Sequence, residues 1–150
     1  MDEIDERDWV PVLPLGAGVF LGYSAEGFLT GDHIGPKRIV DLNFPIGLLP
    51  LLERPYSQLL TDLDGREQEL GLPSGFLRPI ARVETIGRVV FASQIDYWVQ
   101  KLLSWLEEMP VSELDDVVLR ELNAAAWTSQ RARHRSRALL RRLADQTARQ

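Results

Sequence analysis

The 150-residue sequence contains no cysteine and only two histidines, His33 and His134. The absence of cysteine excludes disulfide bonds, iron–sulfur clusters and a cysteine nucleophile, and it removes the thiolate ligands of many zinc sites. Histidine is the other main protein ligand of zinc, so a chain with two of them offers little for such a site. We therefore expect neither a metal nor an organic cofactor.

Long apolar runs are also absent. The longest stretches, near residues 47–52 and 89–92, fall far short of the roughly 20 apolar residues that a membrane-spanning helix needs. Residues 1–8 carry five acidic side chains before any apolar run, which is the opposite of a secretory signal. We expect a soluble, cytoplasmic protein without a membrane partner, and an acidic, disordered segment over residues 1–8.

Glycine and proline are frequent between residues 9 and 44, and both disfavour a long helix. Short strands are predicted there at residues 19–21, 28–30 and 38–42, with residues 25–27 as a hairpin turn between the first two. Between residues 80 and 91 β-branched side chains return on both sides of Gly87. This second region predicts a hairpin or a bulged strand.

The second half of the chain is dominated by helical periodicity. Apolar residues recur at helical spacing over residues 93–109, and Ser93 is the predicted N-terminal cap. Ser112 repeats the cap signal for the next helix, and the short link through Pro110 predicts a helical hairpin. A helix of one or two turns is predicted earlier, at residues 56–63, followed by turns at residues 64–65 and 71–75.

Strands followed by helices predict an α+β fold. We expect a small antiparallel sheet between about residues 9 and 92, packed by C-terminal helices and followed by a basic terminal helix. Residues 9–127 are assigned to a single domain and residues 128–150 to a basic helical extension. Thr128 or Ser129 is predicted to end one helix and cap the next.

The net charge of −5 conceals a strong polarity along the chain. Residues 131–150 carry seven arginines and one aspartate, a net charge of +6, whereas the other 130 residues carry ten positive and 21 negative side chains, a net charge of −11. Arg133, Arg137 and Arg141 follow the i, i+4, i+8 spacing of one helical side. The predicted partner-binding residues are Arg131, Arg133, Arg135, Arg137, Arg141 and Arg142.

This polarity favours a non-enzymatic protein-interaction module, such as a regulator, an immunity-type inhibitor or an assembly factor. The basic helix would meet an acidic partner, a second copy of the chain, or the acidic body of its own molecule. The first alternative is a nucleic-acid-associated protein, because a row of arginines neutralises phosphates whatever the base sequence. Against it, a body at −11 repels polyanions, and no fingerprint of a known nucleic-acid module is present.

The second alternative is a small enzyme centred on Asp32 and His33. His33 is the better candidate base, because the arginines around His134 disfavour the protonated form through which a general base must pass. The glycines of residues 16–22 lie one residue off the dinucleotide-binding spacing, but prolines before them and glycines after them disfavour the required strand and helix. A turn with a polar tip is the competing interpretation of Asp32 and His33.

Overall fold

The computed structural model of the protein describes residues 9–149, so the disordered segment predicted over residues 1–8 lies outside the described residues. It contains a four-stranded sheet followed by helices, so the predicted α+β class is confirmed. The strands are β1 (Val10–Gly16), β2 (Val19–Ser24), β3 (Gly27–Gly31) and β4 (Arg38–Ile39). The α-helices are α1 (Tyr56–Leu70), α2 (Val83–Ser93), α3 (Asp96–Glu108), α4 (Asp116–Ala124) and α5 (Gln130–Ala148). Short 3₁₀ helices occupy Ile46–Glu53, Arg78–Ala81 and Val111–Glu113.

The sheet is an antiparallel meander in the order β1-β2-β3-β4. β1 and β2 are joined by Ala17 and Gly18, which both have positive φ (52° and 77°), as tight two-residue hairpin turns require. β2 and β3 are joined at residues 25 and 26, so the predicted hairpin turn is confirmed. The glycines of residues 16–22 thus serve a hairpin, and they are followed by a strand rather than a helix.

β1 forms an edge of the sheet although it contains Pro11 and Pro14. An edge tolerates proline because an outward-facing residue needs no N–H for the ladder. Arg66 donates from Nε to the Val12 carbonyl and from a terminal nitrogen to the Pro11 carbonyl, both at 3.0 Å. Arg54 donates to the Pro14 carbonyl at 2.6 Å. Arginine side chains therefore cover carbonyls that another strand would otherwise pair with.

α2 corrects the prediction of a second β region at residues 80–91. The β-branched residues of this stretch also recur at helical spacing, and most are buried on one side of α2. Gly87 lies in the middle of the helix rather than at a turn, and a Cβ added there would stand 3.6 Å from Val118 of α4. Burial of this side outweighs local β propensity, so the strand prediction is wrong and the sheet ends at Ile39.

α1 extends well beyond the one or two turns predicted for residues 56–63. The turn predicted at residues 64–65 is wrong, because the buried side of the helix continues through it from Leu63 to Glu67. The helix ends at Gly71, whose left-handed conformation (φ 67°) is the usual C-terminal cap. The second predicted turn begins at that residue.

Two predicted helix caps are displaced along the chain. Ser93 is the last residue of α2, and α3 begins at Asp96. Ser112 lies in a 3₁₀ turn, and Asp115 caps α4 by accepting a hydrogen bond from the Val117 N–H at 2.9 Å. α3 and α4 make few contacts with each other, whereas α4 packs extensively on α5. The predicted hairpin of these two helices is therefore wrong, and α4 and α5 form the pair instead.

One apolar core joins the sheet to the helices. Leu21 of β2 is fully buried, as are Trp105 of α3 and Leu119 of α4. Trp105 also donates its indole N–H to the Arg54 carbonyl at 2.7 Å, which satisfies its polar atom inside the core. The sheet, the first 3₁₀ helix and helices α1 to α3 contribute Val12, Leu13, Leu48, Leu51, Leu52, Leu59, Leu63, Ile86, Val90, Leu102 and Leu103 to this core.

Candidate functional site

α5 begins at a well-defined cap. The Ser129 hydroxyl accepts a hydrogen bond from the Ala132 N–H at 3.1 Å, as helix N-termini require. Thr128 is buried, and its hydroxyl donates to the Leu122 carbonyl (3.1 Å) and the Ala125 carbonyl (2.7 Å) at the end of α4. The predicted cap is thus confirmed at Ser129, whereas the preceding helix ends earlier than predicted, at Ala124.

One narrow side of α5 holds the helix on the body. Ala132, Ser136 and Leu139 are buried where α5 packs on α3 and α4, and Leu140 and Leu143 are half-buried beside them. The Ser136 hydroxyl donates back to the Arg133 carbonyl at 3.0 Å, so its burial leaves that donor satisfied. The thin apolar stripe read from the sequence is therefore the docking side of the helix.

Arg135 faces α3 rather than solvent. Its Nε donates to Glu107 Oε1 at 2.9 Å, and one terminal nitrogen donates to the carbonyl (3.1 Å) and side-chain oxygen (2.6 Å) of Gln100. The other terminal nitrogen donates to Ser104 Oγ at 3.0 Å and also contacts Glu107. One of the six predicted partner-binding arginines is thus occupied by the acidic body of its own molecule.

Most of the other basic side chains of α5 are exposed. We define the basic face by the exposed side chains Arg131, His134, Arg137, Arg141 and Arg142. Arg137 Nε donates to Asn123 Oδ1 of α4 at 2.9 Å, which steadies its guanidinium. Within residues 9–149, the side chains of Arg131, Arg141 and Arg142 have neither an ion pair nor a hydrogen bond. Three guanidinium groups are therefore available on the outer surface.

Arg133 borders the basic face and has an unusual environment. The residue is partly buried, and its Nε is covered without any hydrogen-bond partner in the part of the chain that the structure describes. The predicted row Arg133, Arg137 and Arg141 does run along one side of α5, over about 12 Å at 1.5 Å per residue. Arg135 lies on the other flank, so the structure does not bring all six arginines together.

An open depression of about 230 Å³ lies at the N-terminal part of the basic face. Its lining residues are Gln130, Arg133, His134 and Arg137. Gln130 and His134 were not among the predicted site residues, although their i and i+4 spacing next to Arg133 and Arg137 is readable from the sequence. A larger open depression, about 410 Å³, is lined by Val111, Arg142, Asp145, Gln146 and Arg149. Its one carboxylate makes it less favourable for anions.

Asp32 and His33 serve a turn in this structure. Asp32 accepts hydrogen bonds from the backbone N–H groups of Ile34 (3.2 Å) and Gly35. The His33 ring packs against Phe20 with 4.5 Å between ring centroids. Among residues 9–149, no hydrogen bond joins the Asp32 and His33 side chains. The geometry thus matches the competing interpretation, a turn with a polar tip.

A second polar cluster lies at the start of α3. Tyr97 donates its hydroxyl to the Glu53 carboxylate, with 2.6 and 2.7 Å to the two oxygens, and this hydrogen bond raises the pKa of the Tyr97 phenol. Lys101 pairs with Glu53 at 3.6 Å and lies over the Tyr97 ring. The three groups satisfy one another, so the cluster is a tie between α3 and the first 3₁₀ helix.

Within residues 9–149, no group of three or more histidine or carboxylate side chains is placed to hold a metal ion. In the same part of the chain, no helix combines the length and the apolar character that a bilayer crossing demands.

No protein-family model, curated protein or solved structure matches the chain. The basic face stands out on chemical grounds, because it concentrates positive charge on a chain whose residues outside 131–150 carry −11. Guanidinium groups bind carboxylates and phosphates through paired N–H donors. The outer surface of α5 is therefore equipped to bind anionic groups.

Proposed function

We propose that the protein is a non-enzymatic interaction module whose basic face binds an acidic surface of a protein partner. The observation that carries this proposal is that the residues of α5 that hold the helix on the body differ from its exposed arginines. The body uses Arg135 and a thin apolar stripe to hold the helix, while Arg131, Arg141 and Arg142 are exposed without a partner in residues 9–149. Cations without a partner in residues 9–149 can bind an acidic group of another molecule.

The charge of the whole chain favours a protein over nucleic acid as this partner. A nucleic acid carries a continuous line of phosphates, and it would bring many of them close to a body with a net charge of −11. An acidic patch on a protein is limited in extent and can match the length of one helix. A second copy of this chain also offers acidic surface, so self-association is one form of the same function.

The test uses fluorescence anisotropy with a labelled glutamate-rich peptide, a DNA duplex and a single-stranded RNA, each at low and at physiological ionic strength. We expect the peptide to bind with the highest affinity. The triple variant Arg131→Gln, Arg141→Gln, Arg142→Gln is expected to weaken peptide binding about tenfold, because each exposed charge pair contributes up to about 1 kcal/mol. Sedimentation of the free chain at low ionic strength reports self-association.

The matched control is Arg38→Gln, Arg82→Gln, Arg88→Gln, which removes the same charge from exposed positions outside α5. This variant should bind the peptide nearly as well as the unchanged protein. If the two triple variants lose peptide affinity equally, binding depends on the net charge of the protein, and a specific basic face is contradicted. If DNA or RNA binds more tightly than the peptide, the proposed function is wrong and the protein is a nucleic-acid-binding one.

A further inference from the structure

We infer that the depression lined by Gln130, Arg133, His134 and Arg137 binds a phosphate group carried by a side chain of the protein partner. This inference deepens the proposed function and rests on it, because it names the group that the partner presents. It assigns a discrete site to one end of the basic face. The remaining arginines supply general attraction for an acidic surface.

The four lining residues are mutual neighbours on the helix. Their positions follow i, i+3, i+4 and i+7, which places them on one side of α5 with adjacent Cβ atoms about 5–6 Å apart. Arg133 and Arg137 are one turn apart and His134 lies beside them, so two guanidinium groups and one imidazole border the same depression. A phosphate group presents three strong acceptor oxygens and close to two negative charges, which suits converging donors better than a single carboxylate does.

The two arginines are prepared for this ligand in different ways. Arg137 is held through Nε by Asn123, and its terminal nitrogens have no acceptor within residues 9–149. The Arg133 Nε is covered and has no acceptor in that same range, which is an unfavourable state for a charged donor. A small shift of the Arg133 guanidinium toward a bound oxyanion would relieve that cost. Neither guanidinium is neutralised by a carboxylate of the described chain.

The size and openness of the depression limit what it can hold. A volume of about 230 Å³ admits a phosphate group but is below the roughly 300–1,000 Å³ of sites that enclose whole small molecules. The rest of the ligand must therefore lie outside, along the exposed helix. A phosphorylated serine or threonine on an extended segment meets this requirement, and clusters of arginines recognise such groups in other proteins.

The test is an NMR titration of the full chain labelled with ¹⁵N, using three probes at constant ionic strength. The probes are inorganic phosphate, a short neutral peptide with one phosphoserine, and the same peptide without the phosphate. We expect saturable shifts confined to the amides of residues 130–137 with both phosphate probes and none with the plain peptide. The phosphopeptide should bind more tightly than free phosphate, because its backbone also contacts the helix. If inorganic phosphate binds as tightly as the phosphopeptide, the inference that the phosphate is carried by a protein side chain is contradicted.

Two variants separate the site from general charge. Arg133→Gln is expected to weaken phosphopeptide binding at least about tenfold, because it removes a charge-assisted hydrogen bond to the phosphate. Arg38→Gln removes the same charge from an exposed position outside the basic face, and it should weaken binding less than about twofold. Equal losses would overturn the inference, and so would shifts spread along α5 that follow ionic strength.

The same variants distinguish failure of the site from failure of the proposed function. If the glutamate-rich peptide binds and the phosphopeptide gains nothing from its phosphate, the function stands and the phosphate site is wrong. If neither peptide binds, both are wrong. If a short RNA binds more tightly than the phosphopeptide and loses affinity in Arg133→Gln, the phosphate belongs to a nucleic acid and the inference is overturned.

Discussion

Glu67 is a buried carboxylate whose partners are backbone amides. The residue is 4% exposed and accepts hydrogen bonds from the N–H groups of Gly75 (3.1 Å) and Leu77 (2.9 Å). These bonds fix the loop that follows α1, and removing the acceptor would leave a buried N–H without a partner. We expect Glu67→Ala to lower the free energy of unfolding, measured by urea denaturation, by about 1–3 kcal/mol.

Glu69 provides the matched control on the same helix. Its side chain is 65% exposed and pairs with Arg66, and exposed pairs of this kind contribute at most about 1 kcal/mol. Glu69→Ala should therefore shift the urea midpoint much less than Glu67→Ala. Equal shifts in the two variants would show that the loop does not depend on the buried carboxylate.

Local partners made helix caps only partly predictable from the sequence. Ser129, one of two residues predicted as a cap, accepts from an N–H three residues away, whereas Ser93 and Ser112 do not cap the helices predicted to start there. Glu67 bonds to amides eight and ten residues away, and Arg135 bonds to α3 residues 28 to 35 positions away. Such partners depend on how helices pack, and the spacing of residue types along the chain carries no information about it.

Helices and strands differed in how well the sequence indicated them. α5 was identified because a cap and a repeating apolar stripe agree with its helix-forming composition. α2 was missed because β-branched residues at helical spacing satisfy both patterns, and only packing against the other helices decides between them. β1 was not assigned because prolines argue against an inner strand, and the sequence does not reveal that β1 is an edge.

At the contact between α3 and α5, we predict that Arg135 and Glu107 are energetically coupled. Arg135 and Glu107 share hydrogen bonds in a partly shielded position, where the Arg135 side chain is 20% exposed. Coupled groups of this kind show interaction energies of about 0.5–3 kcal/mol. We expect a double-mutant cycle of Arg135→Gln and Glu107→Gln, measured by urea denaturation, to give a value in that range.

Arg120 and Asp116 form the comparison pair for this cycle. They lie one turn apart on α4, are 73% and 57% exposed, and contact each other at 3.2 Å. Exposed pairs at this spacing contribute about 0.3–0.5 kcal/mol. A coupling between Arg135 and Glu107 no larger than that of the comparison pair would mean that the Glu107 contact adds little to holding α5 on the body.

At the scale of the molecule, α5 differs from the rest of the chain in charge but is joined to it by packing. Its composition sets residues 128–150 apart from the acidic remainder, which led to their prediction as an extension. Its contacts join it to α3 and α4, because Ala132 and Leu139 take part in the main core. The basic face is thus presented on a helix that the body holds in a fixed orientation, which suits a binding surface.

We expect this packing to make α5 necessary for the stability of the remaining chain. A chain ending at Ser129 loses the burial of Leu139, worth about 1.5–3 kcal/mol, and it exposes apolar surface of α3 and α4 that α5 covers. We expect its free energy of unfolding to fall by at least about 3 kcal/mol in urea denaturation. Removing residues 145–150 instead should change it by less than about 0.5 kcal/mol, because residues 145–149 are exposed. A chain ending at Ser129 that is as stable as the full protein would show that residues 9–127 fold alone and that α5 is an accessory to them.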